Sequence, residues 1–113
     1  MVKKEAHLKE LAQKYANELE RLGVPVESII LYGSYARGEA REYSDIDFAV
    51  ISKRFGLGDG FEFSGILSMA KWPFADELIE AVGLSPKQID NAPKYSFIEE
   101  IKKHGKVVYK KAA

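Results

Sequence analysis

Ser28 to Ile51 reads S-I-I-L-Y-G-S-Y-A-R-G-E-A-R-E-Y-S-D-I-D-F-A-V-I, with a Gly-Ser turn and two alternating aspartates at the ends of two apolar runs. Side chains alternate across a strand, so Asp45 and Asp47 share one face while Ile46, Phe48 and Val50 share the other. The aspartates converge and the apolar face packs. Two carboxylates this close repel and tend to hold one proton between them unless a divalent cation neutralises both. Hard oxygen ligands suit magnesium or manganese, and magnesium is commonly held by one or two carboxylates while substrate phosphates and water complete its shell. The pattern therefore predicts a metal-assisted phosphate site, with a nucleoside triphosphate as substrate.

The first run, Ile29-Ile30-Leu31-Tyr32, stops at Gly33-Ser34, and Ala36 to Ala40 is expected to form a short helix leaving the strand end. Glycine lets a backbone approach a phosphate closely, and free amides at a helix start favour an anion. Ser34 adds a hydroxyl there. Ten residues separate Gly33-Ser34 from Asp45, enough for a short helix and a return loop that brings the second strand alongside the first, so turn and carboxylates can face one site. Arg37 follows within a turn, where a guanidinium can grip phosphate oxygens in a bidentate fork. Arg41 is expected to be exposed, and Ser44 to cap the turn before Asp45.

With its apolar strand, Gly33-Ser34, and Asp45-Ile46-Asp47 on a second apolar strand, the chain resembles the DNA polymerase beta-like nucleotidyltransferase superfamily. The intervening A-R-G-E-A-R-E-Y-S looks like the minimal nucleotidyltransferase branch, single-domain proteins often paired with a HEPN-domain partner in toxin-antitoxin modules; Arg37 belongs to that branch's signature. The resemblance implies a third carboxylate on a later strand. Glu80, within Leu78-Ile79-Glu80-Ala81-Val82, is the favoured candidate, and Asp76, read as a loop residue, is the alternative. On this likeness Asp45, Asp47 and Glu80 are the catalytic and metal-holding residues, and Gly33, Ser34 and Arg37 bind the nucleotide. The implied reaction uses Mg2+ (or Mn2+) and ATP, transfers AMP to a tyrosine of a HEPN-domain toxin, and so neutralises it. Two other readings stand beside this one: a binding module that silences its partner by contact alone, and transfer to a small molecule such as an aminoglycoside.

Composition bounds these readings. The 113 residues predict one domain, 1–113, with a modest core. Seventeen Lys plus Arg balance seventeen Asp plus Glu, which gives no basic excess for tracking a long nucleic acid. Cysteine is absent, so disulfides and thiolate metal sites are excluded. With no apolar stretch of membrane-spanning length and no charged-then-apolar leader, the expected location is the cytoplasm, away from membranes. Sheet edges and the many aromatic residues permit a homodimer as well as a complex with a partner.

The expected fold class is α/β (α+β), a small mixed sheet with helices packed on one face. Leu8, Leu11, Tyr15, Leu19 and Leu22 recur at helical spacing and predict a helix from about Lys3 to Arg21, stopped by Gly23-Val24-Pro25. Strands are expected near 28–32, 46–51 and 77–82, with a helix between Phe63 and Trp72. Gly56-Leu57-Gly58-Asp59-Gly60 reads as a loop that does not match a dinucleotide fingerprint. Ser85-Pro86-Lys87-Gln88 and Ser96-Phe97-Ile98-Glu99 are helix-start patterns, the second closed by Gly105. Val107 to Tyr109 is expected to add a closing strand. Tyr32, Phe48, Phe63 and Phe97 are expected in the core, Phe61, Trp72 and Phe74 at an interface or against a nucleotide, and His7 and His104 on the surface.

Overall fold

The computed structural model describes residues 2–56 and 60–112, and of residues 60–64 the backbone alone. The expectations placed on 57–59 and on the rings of Phe61 and Phe63 lie outside the described residues. The chain begins with helix α1, Glu5–Arg21, whose buried face is Leu8, Leu11, Ala12, Tyr15, Ala16 and Leu19. That spacing is one stripe of an α-helix, and Glu5 and Arg21 sit at the ends where the helix dipole favours them. Gly23, at φ 93°, turns the chain away.

Strands β1 (Ser28–Tyr32) and β2 (Ile46–Ile51) follow, then helix α2 (Gly60–Met69), a 3-10 turn over Trp72–Phe74, and strand β3 (Ile79–Leu84). Helices α3 (Pro86–Asp90) and α4 (Phe97–His104) precede strand β4 (Lys106–Lys110). The sheet runs β3-β2-β1-β4, with β1 antiparallel to both β2 and β4 and with β2 parallel to β3. A mixed sheet was expected, and β3 lies two residues later than the predicted 77–82. The ladder with β2 begins only at Ile46–Ile79, and residues 75–77 before it turn, with the Glu77 side chain meeting Lys3 and His7.

One face of the sheet, carrying Ile29, Leu31, Ile46, Phe48 and Val50, joins the buried stripe of α1 in the main core. Tyr15 donates its hydroxyl to the Leu67 carbonyl at 2.7 Å, tying α1 to α2, and burial pushes that hydroxyl's pKa up. The opposite face carries a smaller cluster of Ala49, Ile51, Leu84 and Ile101, with Ile30, Tyr32 and Ile98 packed against it. Helix α4 therefore extends the expected one-faced cover onto part of the second face.

Both late helices start where their caps lie. Ser85 and Gln88 form a complete capping box, and the Ser96 hydroxyl accepts from Glu99 N at 3.1 Å. No helix among the described residues is long and apolar enough to cross a membrane.

Candidate active site

Strand β1 ends at Tyr32, and Gly33 then takes a positive φ of 73°. A side chain there would also run into the Asp47 carboxylate, so glycine is required both by the backbone and by the close approach of β2. The amides of Ala36 and Arg37 both donate to the Gly33 carbonyl at 3.1 Å, and Glu39 N donates to Ser34 O at 2.9 Å. These bonds form consecutive turns over 33–38, and the short helix expected over Ala36–Ala40 is not formed. Gly38, at φ 71°, leaves helical space and stops propagation after one turn. Ser44 caps its turn as expected, its hydroxyl accepting from Arg41 N at 2.7 Å, and Arg41 is exposed.

The strand register brings the carboxylates together. Asp47 of β2 pairs with Tyr32 of β1 on one side and with Glu80 of β3 on the other. Residues in register on adjacent strands, about 4.8 Å apart, point to the same face, so Asp47 and Glu80 are neighbours. Asp45 precedes them by the strand period of two. Burial, then repulsion from Asp45 and Glu80, pushes the Asp47 carboxyl above its ordinary range, and the Arg37 charge opposes that rise. Burial and the charges of Asp47 and Glu80 likewise push the Tyr32 hydroxyl up to about 12. Of the two candidates for a third carboxylate, Glu80 therefore lies beside Asp47, and Asp76 sits exposed in the turn before β3.

A cavity of about 510 Å3 opens over this edge, with Gly33, Ser34 and Arg37 on one side and Asp45 and Asp47 on another. Arg37 Nε also meets Glu39 Oε1 at 2.5 Å. Its far wall is α4, which contributes Phe97, Glu100 and His104. Phe97 is 57% exposed instead of buried in the core as expected; it meets the half-buried Tyr32 ring edge-on at 5.4 Å between centroids. His104 is on the surface as expected, and that surface is the rim of this cavity. The α4 wall escaped sequence reading because its three residue types carry no shared chemistry. The available signal was the i, i+3, i+7 spacing of Phe97, Glu100 and His104, which puts them along one side of the helix.

Among the described residues no three His, Asp or Glu side chains already converge as a closed metal-binding set. The donor chemistry nevertheless fits a hard divalent ion: Asp45 and Asp47 share the cavity wall, and burial together with the like charges of Asp45 and Glu80 disfavours the Asp47 charge, which a cation would offset. Two carboxylates with substrate oxygens completing the shell is the usual magnesium arrangement.

At one end of the two central strands, a glycine turn and Arg37 thus face two aspartates across one cavity, with Glu80 in register on the next strand. The chain belongs to the nucleotidyltransferase domain family, whose model matches residues 12–111. Two relatives come from Methanocaldococcus jannaschii. "Putative protein adenylyltransferase MJ1305" is 59% identical over 34 residues, 30% of this chain and 23% of that protein. "Putative protein adenylyltransferase MJ1215" is 47% identical over 45 residues, 40% of this chain and 51% of that protein. The matches thus span about half or less of those relatives' lengths. Among solved structures, a putative nucleotidyltransferase from Sulfolobus solfataricus superposes with a TM-score of 0.66 at 20% identity, covering 94% of this chain and 83% of that one. A toxin-antitoxin structure with AMP-PNP superposes with a TM-score of 0.56 at 22% identity, covering 88% and 73%. At these identities the two structures show a shared fold.

Proposed function

We propose that this chain, as a single minimal nucleotidyltransferase domain over 1–113, transfers AMP from ATP to a tyrosine hydroxyl on a HEPN-domain toxin partner and thereby acts as its antitoxin in the cytoplasm. The observation that carries the reading is the juxtaposition of the Gly33-Ser34 turn, Arg37 and the Asp45-Asp47 pair around one cavity of about 510 Å3, with Glu80 in register beside Asp47. The likeness to protein adenylyltransferases and to a toxin-antitoxin structure supports a protein acceptor.

Gly33 lets the terminal phosphates approach the β1 backbone, and the Ser34 hydroxyl and Arg37 guanidinium bind their oxygens. Asp45, Asp47 and Glu80 would hold Mg2+ or Mn2+. When bound, the ion offsets the charge that the triphosphate brings and that develops on the departing pyrophosphate. Glu80 takes the proton of the acceptor hydroxyl as its oxygen forms a bond to the α-phosphorus and the bond to the bridging oxygen breaks. Pyrophosphate leaves and a nucleotidylated tyrosine remains.

The test is incubation of the purified chain with α-labelled ATP, magnesium and the protein encoded by the neighbouring gene, with Asp47→Asn alongside. Label on the neighbour with the wild type alone is expected. A variant that binds and silences the partner as well as the wild type would replace transfer by contact-only neutralisation.

A further inference from the structure

Asp45 also lines a second cavity, of about 400 Å3, that shares no other residue with the first. Its walls include Lys71 after α2, Trp72 and Phe74 of the 3-10 turn, Leu78, and Glu80 of β3. We propose that this cavity is the acceptor subsite and takes a tyrosyl side chain presented on an extended protein segment, an inference that rests on the transfer reaction proposed above.

Transfer requires two substrates to meet at one phosphorus from different directions. The Gly-Ser turn and Arg37 line the first cavity, while Glu80 lines the second, and Asp45 stands where the two join. The second cavity thus provides a carboxylate for an entering hydroxyl and lacks the glycine turn and the arginine that line the first, Lys71 being its one cation among the described residues. Its wall chemistry selects the side chain. Trp72 offers an exposed ring, and Phe74, whose own ring packs on the main core against Tyr15, adds to the apolar wall, so an aromatic ring suits the space with its polar tip toward Asp45 and Glu80; a serine would leave that wall uncovered. The surroundings select a macromolecule. Trp72 is 80% exposed, Leu78 40% and Met69, one residue beyond the cavity-lining Ser68, 55%. Exposed apolar side chains at and beside the cavity favour an acceptor carried on a larger partner. Asp45, Glu77 and Glu80 outnumber Lys71 around the cavity, which opposes a polyphosphate strand as occupant.

Trp72 is the chain's sole tryptophan, so its emission reports on this cavity directly. The probe is a capped pentapeptide with glycines around a central tyrosine, compared with its phenylalanine and serine counterparts. The tyrosine and phenylalanine peptides are expected to shift Trp72 emission to the blue in a saturable way, and the serine peptide to leave it unchanged. With magnesium and ATP, the tyrosine peptide alone becomes nucleotidylated. Trp72→Ala is expected to raise its KM about tenfold while the KM for ATP stays within about twofold, and Trp72→Phe to recover most of the loss. Equal emission changes with all three peptides would overturn the subsite. So would transfer by Trp72→Ala at wild-type acceptor KM, which would leave the proposed reaction intact. Saturable emission changes with the tyrosine and phenylalanine peptides but not the serine peptide, without transfer by the wild type, would overturn the reaction and retain the cavity as an aromatic-binding surface.

Discussion

Asp47 is where stability and the proposed chemistry oppose each other most directly. Its carboxylate is half-buried, faces Asp45 and Glu80, and is relieved only in part by Arg37. Removing its charge should therefore help the free protein. Asp47→Asn keeps the shape and is expected to raise the melting temperature of the ligand-free chain by about 2 °C, a small value because solvent screens much of the repulsion. The same change is expected to lower the transfer rate roughly a thousandfold by weakening the grip on the ion. Magnesium with ATP should stabilise the wild type against heat and leave the variant nearly unmoved. Thermal scanning of both proteins with and without these ligands checks all three statements; a variant less stable than the free wild type would mean that Asp47 makes net favourable contacts, contrary to the repulsion argument.

At the scale of elements, α4 serves two purposes at once. Ile101 is fully buried in the smaller core, and three residues of the same helix wall the cavity proposed to take the nucleotide. Ile101→Ala is expected to cost about 3 kcal/mol and to raise the KM for ATP, because a loosened α4 no longer holds Phe97 and Glu100 in place. Denaturant unfolding and nucleotide titration measure the two effects, and a stability loss without any change in KM would separate the helix from the site. This element also shows what a sequence does and does not reveal. The bounds of α4 were legible because Ser96 and Gly105 are local signals, as were β1 and β2 from their apolar runs and the Gly33, Asp45 and Asp47 positions from spacing. The role of α4 as a wall was not, because it depends on which sheet face the helix covers. The misplaced helix over 36–40 failed for a local reason: Gly38 breaks it, and the turn amides bond back to Gly33 and Ser34 without building a second turn. Phe97 was assigned to the core on hydrophobicity alone, although its exposed position at the helix start depends on tertiary packing.

Across the whole molecule, the start of α1 is fastened to the segment that leads into β3, close to both the carboxylates and the second cavity. His7 Nε2 meets Glu77 Oε1 at 2.7 Å, and Lys3 Nζ lies 3.5 Å from Glu77 Oε2, an oxygen shut off from solvent without a hydrogen bond. His7 and Glu77 lie seventy positions apart in sequence, so this contact closes the chain on itself three residues before Glu80. Glu77→Ala is expected to cost about 1–2 kcal/mol, more than an ordinary exposed pair, because the carboxylate is mostly shielded while His7 is half open to water. A double-mutant cycle with His7→Ala should give a coupling of about 0.5–1 kcal/mol, since each change alone already breaks the shared contact. Glu77 also lines the second cavity, so the same variant should weaken acceptor binding more than ATP binding. Additive stability losses in the cycle would show that His7 and Glu77 act independently, and the positioning of Glu80 would then rest on the β2–β3 ladder alone.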